Sequence, residues 1–171
     1  RVYDAALAGR SKERPQLVNV PLPLEAKVSV LPCRRGGEEF LRRLFEPLGY
    51  TVTAQGYPLD EQHSDWGASP YFSVTLAAQK RLSELLTHLY VLIPVLDNDK
   101  HYWVGDDEVE KLLRHGEGWL AAHPEHQLIA KRYLKHQRSL VAEALSRLTE
   151  GDCLEPDSAG QVRALEEASL E

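Results

Sequence analysis

Apolar positions along the chain change period several times, and each change marks an element. Residues 1–9 place Val2, Ala5, Ala6 and Leu7 at helical spacing before Gly9, the tail of a helix. Charge and proline dominate 10–23, which reads as a loop. Strict alternation over 24–30 predicts a half-buried strand. After Pro32 and the Gly36-Gly37 pair, Phe40, Leu41, Leu44, Phe45 and Leu48 fall on one face of a helix that Pro47 should end or kink. Glu38 and Glu39 suit its first turn, and Glu38/Arg42 and Glu39/Arg43 are i,i+4 pairs in the favourable order. Strands follow at 50–54 and 71–77, separated by a polar loop at 56–69. Residues 81–95 predict a helix whose second half is apolar nearly all round, hence central and buried, with Pro94 helping to end it.

Beyond this point the pattern is helical. Residues 97–100 are turn chemistry and 101–104 a possible short fourth strand. Asp107 with Glu110 predicts a capping box opening a helix to about 121, weakened by Gly116 and Gly118 at about 1 kcal/mol each. Pro124 suits the first position of a long last helix reaching about 148, and the two helices predict an antiparallel hairpin. The fold class expected is α+β: a small, mostly antiparallel sheet in β-α-β-β-α order, with covering helices and a C-terminal helical hairpin. The domain reading is an α/β portion over 1–105, a helical hairpin over 106–149, and an acidic linker over 151–171.

Composition refines this picture. The 171 residues are 43% hydrophobic and 27% charged, which is ordinary for a globular chain. Residues 150–171 hold seven acids against the single base Arg163, so they carry the whole formal net charge of −6, and residues 1–149 are neutral overall. A strongly basic nucleic-acid binder is thereby excluded, and any RNA contact must be a local patch. Two cysteines, Cys33 and Cys153, make no disulfide framework and favour a reducing, cytoplasmic compartment. The longest apolar run, 89–96, is too short to span a bilayer. Starting in mid-helix at Arg1, the chain reads as a piece of a longer protein.

The candidate chemistry is sparse. Residues 36–40 spell Gly-Gly-Glu-Glu-Phe, the diguanylate cyclase signature, in which glycines admit a nucleotide and a carboxylate holds Mg²⁺. That use requires a hairpin turn between strands and an upstream acidic ligand, whereas here a helical pattern follows; a glycine turn at a helix start is the simpler reading. His123 and His126 have i,i+3 spacing but straddle Pro124, which makes them surface or capping residues in preference to zinc ligands. No glycine-rich phosphate or cofactor loop is present. Loop 97–103 concentrates charges and aromatics suited to recognising a partner. Basic residues cluster at 10–14, at Arg34-Arg35, and on the last helix, where Lys131, Lys135 and Arg138 would lie within about 60°. The partner surface expected therefore comprises Arg10, Lys12, Arg14, Arg34, Arg35, Asp97, Asp99, Lys100, His101 and Trp103, with no catalytic or metal-ligating residue.

Longer strings carry a resemblance: LAGRSKERP at 7–15, PLPLEA at 21–26, LPCRRGG at 31–37, LFEPLGY at 44–50, LYVLIPVLDNDKHYWV at 89–104, GEGWL at 116–120 and RYL at 132–134. Together they resemble the bacterial HEN-type RNA 3′-terminal ribose 2′-O-methyltransferases over roughly residues 7–150. The resemblance implies the latter portion of that family's N-terminal half, a non-catalytic region that binds the bacterial polynucleotide kinase–phosphatase–ligase and switches on RNA ligation. It also implies that S-adenosylmethionine and a divalent metal serve a separate methyltransferase half, so no cofactor is expected here. The family's Glu-x-x-Glu-His metal motif is absent from this sequence. Two alternatives stand beside this reading: an RNA-binding module using Arg10, Lys12, Arg14 and the last helix, and a nucleotide-dependent enzyme using 36–40.

Overall fold

The computed structural model describes residues 3–98, 106–134 and 137–152. A short helix α1 (Asp4–Leu7) precedes strand β1 (Leu22–Pro32), helix α2 (Gly37–Phe45) with a 3-10 turn at Glu46–Leu48, and the hairpin of β2 (Thr51–Pro58) and β3 (Ala68–Lys80). Helices α3 (Leu82–Asp97), α4 (Asp106–Gly116), α5 (His126–Tyr133) and α6 (Arg138–Asp152) follow. The sheet is antiparallel in the order β1-β3-β2, with Val28 opposite Val74 and Val52 opposite Leu76. The fold is thus α+β, as the alternation predicts. The expected fourth strand at 101–104 lies outside the described residues.

The alternation of 24–30 puts Leu24, Ala26 and Val28 inward, beside Val74 and Leu76 of β3 and Val52 of β2. Helices α2 and α3 cover this inner face. Phe40, Leu41, Leu44 and Phe45 of α2, and Val91, Leu92, Val95 and Leu96 of α3, are buried there. On its other sides α3 meets α1, α4 and α5, so its apolar second half is enclosed.

Several expectations are corrected. Pro94 does not end α3, which runs on to Asp97 and stops at Asn98 in a left-handed conformation. The helix expected to reach 121 stops at Gly116, with Gly118 at φ +79° in the turn that follows. Asp107 and Glu110 engage Lys111 and Arg147. The long last helix is two helices: α5 begins after Pro124 at His126 and ends at Tyr133, and α6 begins at Arg138. Lys131 and Arg138 therefore stand on different helices, and Lys135 lies outside the described residues. Of the two expected helical pairs on α2, Glu38–Arg42 forms, but Arg43 reaches across to Glu125, with its Nε 2.8 Å from Oε1.

A seam of rings joins the sheet layer to the helical half. Tyr50 Oη and His88 Nδ1 are hydrogen-bonded at 2.8 Å in the interior. His88 packs edge-on against Trp119, which packs edge-on against His123. His123 is buried, contrary to the surface reading. Its Nε2 donates to the Leu44 carbonyl at 3.0 Å, and its Nδ1 accepts the Glu125 amide, also at 3.0 Å, so the ring is neutral and both nitrogens are occupied. Burial, with the Lys80 charge adding to it, holds His88 down to about 4, and burial lowers His123 as well.

Two predictions follow from this packing. Gly36 precedes α2 at φ +97°, and a Cβ there would sit 2.6 Å from Phe40 Cβ, whereas at Gly37 a Cβ meets nothing. Gly36→Ala should lower unfolding free energy in urea by about 1–3 kcal/mol, and by more than Gly37→Ala does. For His88, a base held below its unfolded value near 6.5, folding is fully favoured above that pH and loses stability as pH falls toward 4. The loss attributable to this ring is of order 3 kcal/mol. A histidine resonance titrating near pH 4, absent in His88→Asn along with most of the slope, checks it.

Candidate functional site: a charged corner at the end of helix α3

The last turn of α3 ends in carbonyls that no helical N–H can reach, and two arginines meet them. Arg34 comes from the segment leaving β1. Its amide donates to the Leu96 carbonyl at 3.4 Å, and its Nε donates to Asp97 Oδ1 at 3.1 Å. Arg132 comes from α5. Its Nη1 donates to the Val95 carbonyl at 3.4 Å, and its guanidinium lies 4.2 Å from the centre of the Phe40 ring. These contacts explain why α3 continues past Pro94: the helix end is capped by residues distant in sequence.

Beneath the corner is Cys33, buried, with its Sγ donating to the Gly37 carbonyl at 3.3 Å. Burial pushes its thiol up, partly offset by the Arg132 charge. The same burial lowers the Arg132 guanidinium from its ordinary value, with the nearby Arg35 and Arg43 charges acting in the same direction. Arg35 is exposed beside them. The result is a cationic corner on a rigid base, carrying the Asp97 carboxylate at its centre.

The predicted partner residues separate into two groups. Arg34, Arg35 and Asp97 converge at this corner. Arg10, Lys12 and Arg14 are exposed on the loop before β1, beside the opposite end of α3. Sixteen helical residues separate the ends by about 24 Å. There the loop rims a groove of about 530 Å³ lined by Ala5, Ala6, Leu17, Val18, Leu22 and Leu82. Asp99, Lys100, His101 and Trp103 lie outside the described residues. Arg132 is the corner residue that pattern reading misses, because nothing local distinguishes it from a solvated helix position. Residues 36–40 form a glycine turn and the first turn of α2, not a hairpin between strands, so the cyclase use lacks its required setting. Among the described residues no group of three or more His, Cys, Asp and Glu side chains is placed to hold a metal ion, and no helix is long and apolar enough to cross a membrane.

Residues 1–149 match the family model described as "RNA repair, ligase-Pnkp-associating, region of Hen1". No curated protein matches the chain. The match spans most of the chain and runs through every residue of the corner, so this polypeptide belongs to the ligase-Pnkp-associating region family of the RNA repair protein Hen1.

Proposed function

We propose that this chain docks on the RNA ligase of the polynucleotide kinase–phosphatase–ligase partner and activates it without taking part in the chemistry. The match over residues 1–149 carries the reading, because association with that partner is the family's role in RNA repair. Activation by docking requires only that the chain prefer the sealing-competent conformation of the ligase, which shifts the population toward it. The corner of Arg34, Arg35 and Asp97 supports this, since a capped helix end presents charge in a fixed direction. In sequence, Asp99, Lys100, His101 and Trp103 follow directly after Asp97 and complete the set expected to meet the partner.

In this reading residues 1–150 act as the associating unit and 151–171 as an acidic linker toward a methyltransferase domain. That domain would carry the S-adenosylmethionine and divalent metal for 2′-O-methylation of the repaired end, in the cytoplasm of a bacterium. A second reading, RNA contact, is favoured by one observation: Arg10, Lys12 and Arg14 are all exposed on one loop. Such contact would weaken steeply with salt.

Mixing the chain with the ligase and measuring adenylylation and RNA sealing tests the proposal. Stimulation is expected, and it should fall for Lys100→Glu and Arg14→Glu with the melting temperature unchanged, and for Arg34→Glu together with a small drop in melting temperature from the lost Asp97 ion pair. Absence of both binding and stimulation would sink it. If the swap Arg34→Asp with Asp97→Arg restores full stimulation, the pair serves the fold alone; if stimulation stays low, the partner reads these charges.

A further inference from the structure

The far end of the sheet carries large apolar side chains in solvent. Register places them together. Val28 pairs with Val74 and Leu31 with Phe72, so Ser29 and Val30 both stand opposite Ser73, a β-bulge. Tyr57 Oη donates to Ser73 Oγ at 2.9 Å, which donates to the Ser29 carbonyl at 2.8 Å, tying three strands across the outer face. Beside this ladder Val30 is 67% exposed, and Tyr57 and Tyr71 are exposed too. At the hairpin tip Leu59 is 56% and Trp66 58% exposed.

The tip is held in place. The Leu59 amide donates to the Gly67 carbonyl at 2.9 Å, Asp60 Oδ1 accepts the amides of Gln62 and His63, and the His63 ring stacks on Trp66 with centroids 4.6 Å apart. Rigid exposed aromatics are the residues that dominate protein interfaces. The charge along the hairpin itself has one sign. Residues 44–79 contain no Lys or Arg, and their four acids include Asp60, Glu61 and Asp65 at the tip. That field repels phosphates and favours a protein surface rimmed by Lys and Arg. The Cys33 amide donates to the Pro70 carbonyl at 2.7 Å, which sets the hairpin directly beside the Arg34–Asp97 corner.

We propose that the β2–β3 hairpin tip is the apolar anchor of the ligase-docking surface, seating Trp66 and Leu59 in an apolar recess with a basic rim on that partner. This rests on the docking reading above and adds the surface that supplies most of its affinity.

Binding of the full chain to the purified ligase, measured at low and high salt, tests it. Leu59→Ala with Trp66→Ala should weaken binding roughly tenfold or more with the melting temperature unchanged. Glu61→Lys with Asp65→Lys should slow association and flatten its salt dependence. If the wild type binds and Arg34→Glu weakens it while the Leu59/Trp66 variant binds like wild type, the anchor is wrong and the docking reading survives. A wild type that does not bind the ligase ends both. Binding to a short single-stranded RNA that is lost in Trp66→Ala would overturn the anchor in favour of base stacking.

Discussion

The second half of helix α3 is apolar nearly all the way round, and the rest of the molecule is arranged to cover it. Val91, Leu92, Val95 and Leu96 have no exposed surface. Full burial of such a side chain is worth about 1.5–3 kcal/mol, more than any surface ion pair described above. A helix of this kind cannot lie on one face of a sheet with its back in water. The inner face of β1 takes one side, and α1, α4 and α5 take the others. Polar groups then reach α3 at its ends and, midway, through the buried Tyr50–His88 hydrogen bond. Glu84 accepts the Arg81 amide at the first turn, and Arg34 and Arg132 meet the carbonyls of the last. The cationic corner is a by-product of enclosing the helix.

Much of this was readable from the chain. Period-two alternation located β1 and β3, and the all-round apolar pattern of α3 announced its central place. Strand ends were underestimated because pairing with β3 carries β1 through Pro32 and β2 through Pro58, where the alternation has faded. Pro94 misled because a proline costs one helical hydrogen bond, while the caps from β1 and α5 are tertiary and invisible locally. The break between α5 and α6 was hidden for a related reason. The apolar arc from Ile129 to Leu145 continues through it, and both helices bury residues of that arc.

The candidate surface was half legible. Arg34 and Asp97 drew attention as separate charges, and the fold turns them into one ion-paired unit. Arg132 is placed by where α5 crosses α3, which no spacing rule encodes. The hairpin tip escaped notice because Trp66 sits among polar residues. A lone tryptophan in a loop has no period, and its meaning comes from the tight tip and the stacked histidine that fix it.

The bulge at Ser29 and Val30 has one more consequence. Among the described residues, both outer strands of this sheet leave a row of backbone amides and carbonyls without a neighbouring strand. Along β1, Pro23 and Pro32 lack amide donors, Lys27 sets a charge midway, and the extra residue bends the line between them. A foreign strand finds no straight template along this edge, so strand addition to β1 is discouraged. Recognition at this end of the molecule is left to side chains, which can tell one protein from another where a bare peptide ladder cannot.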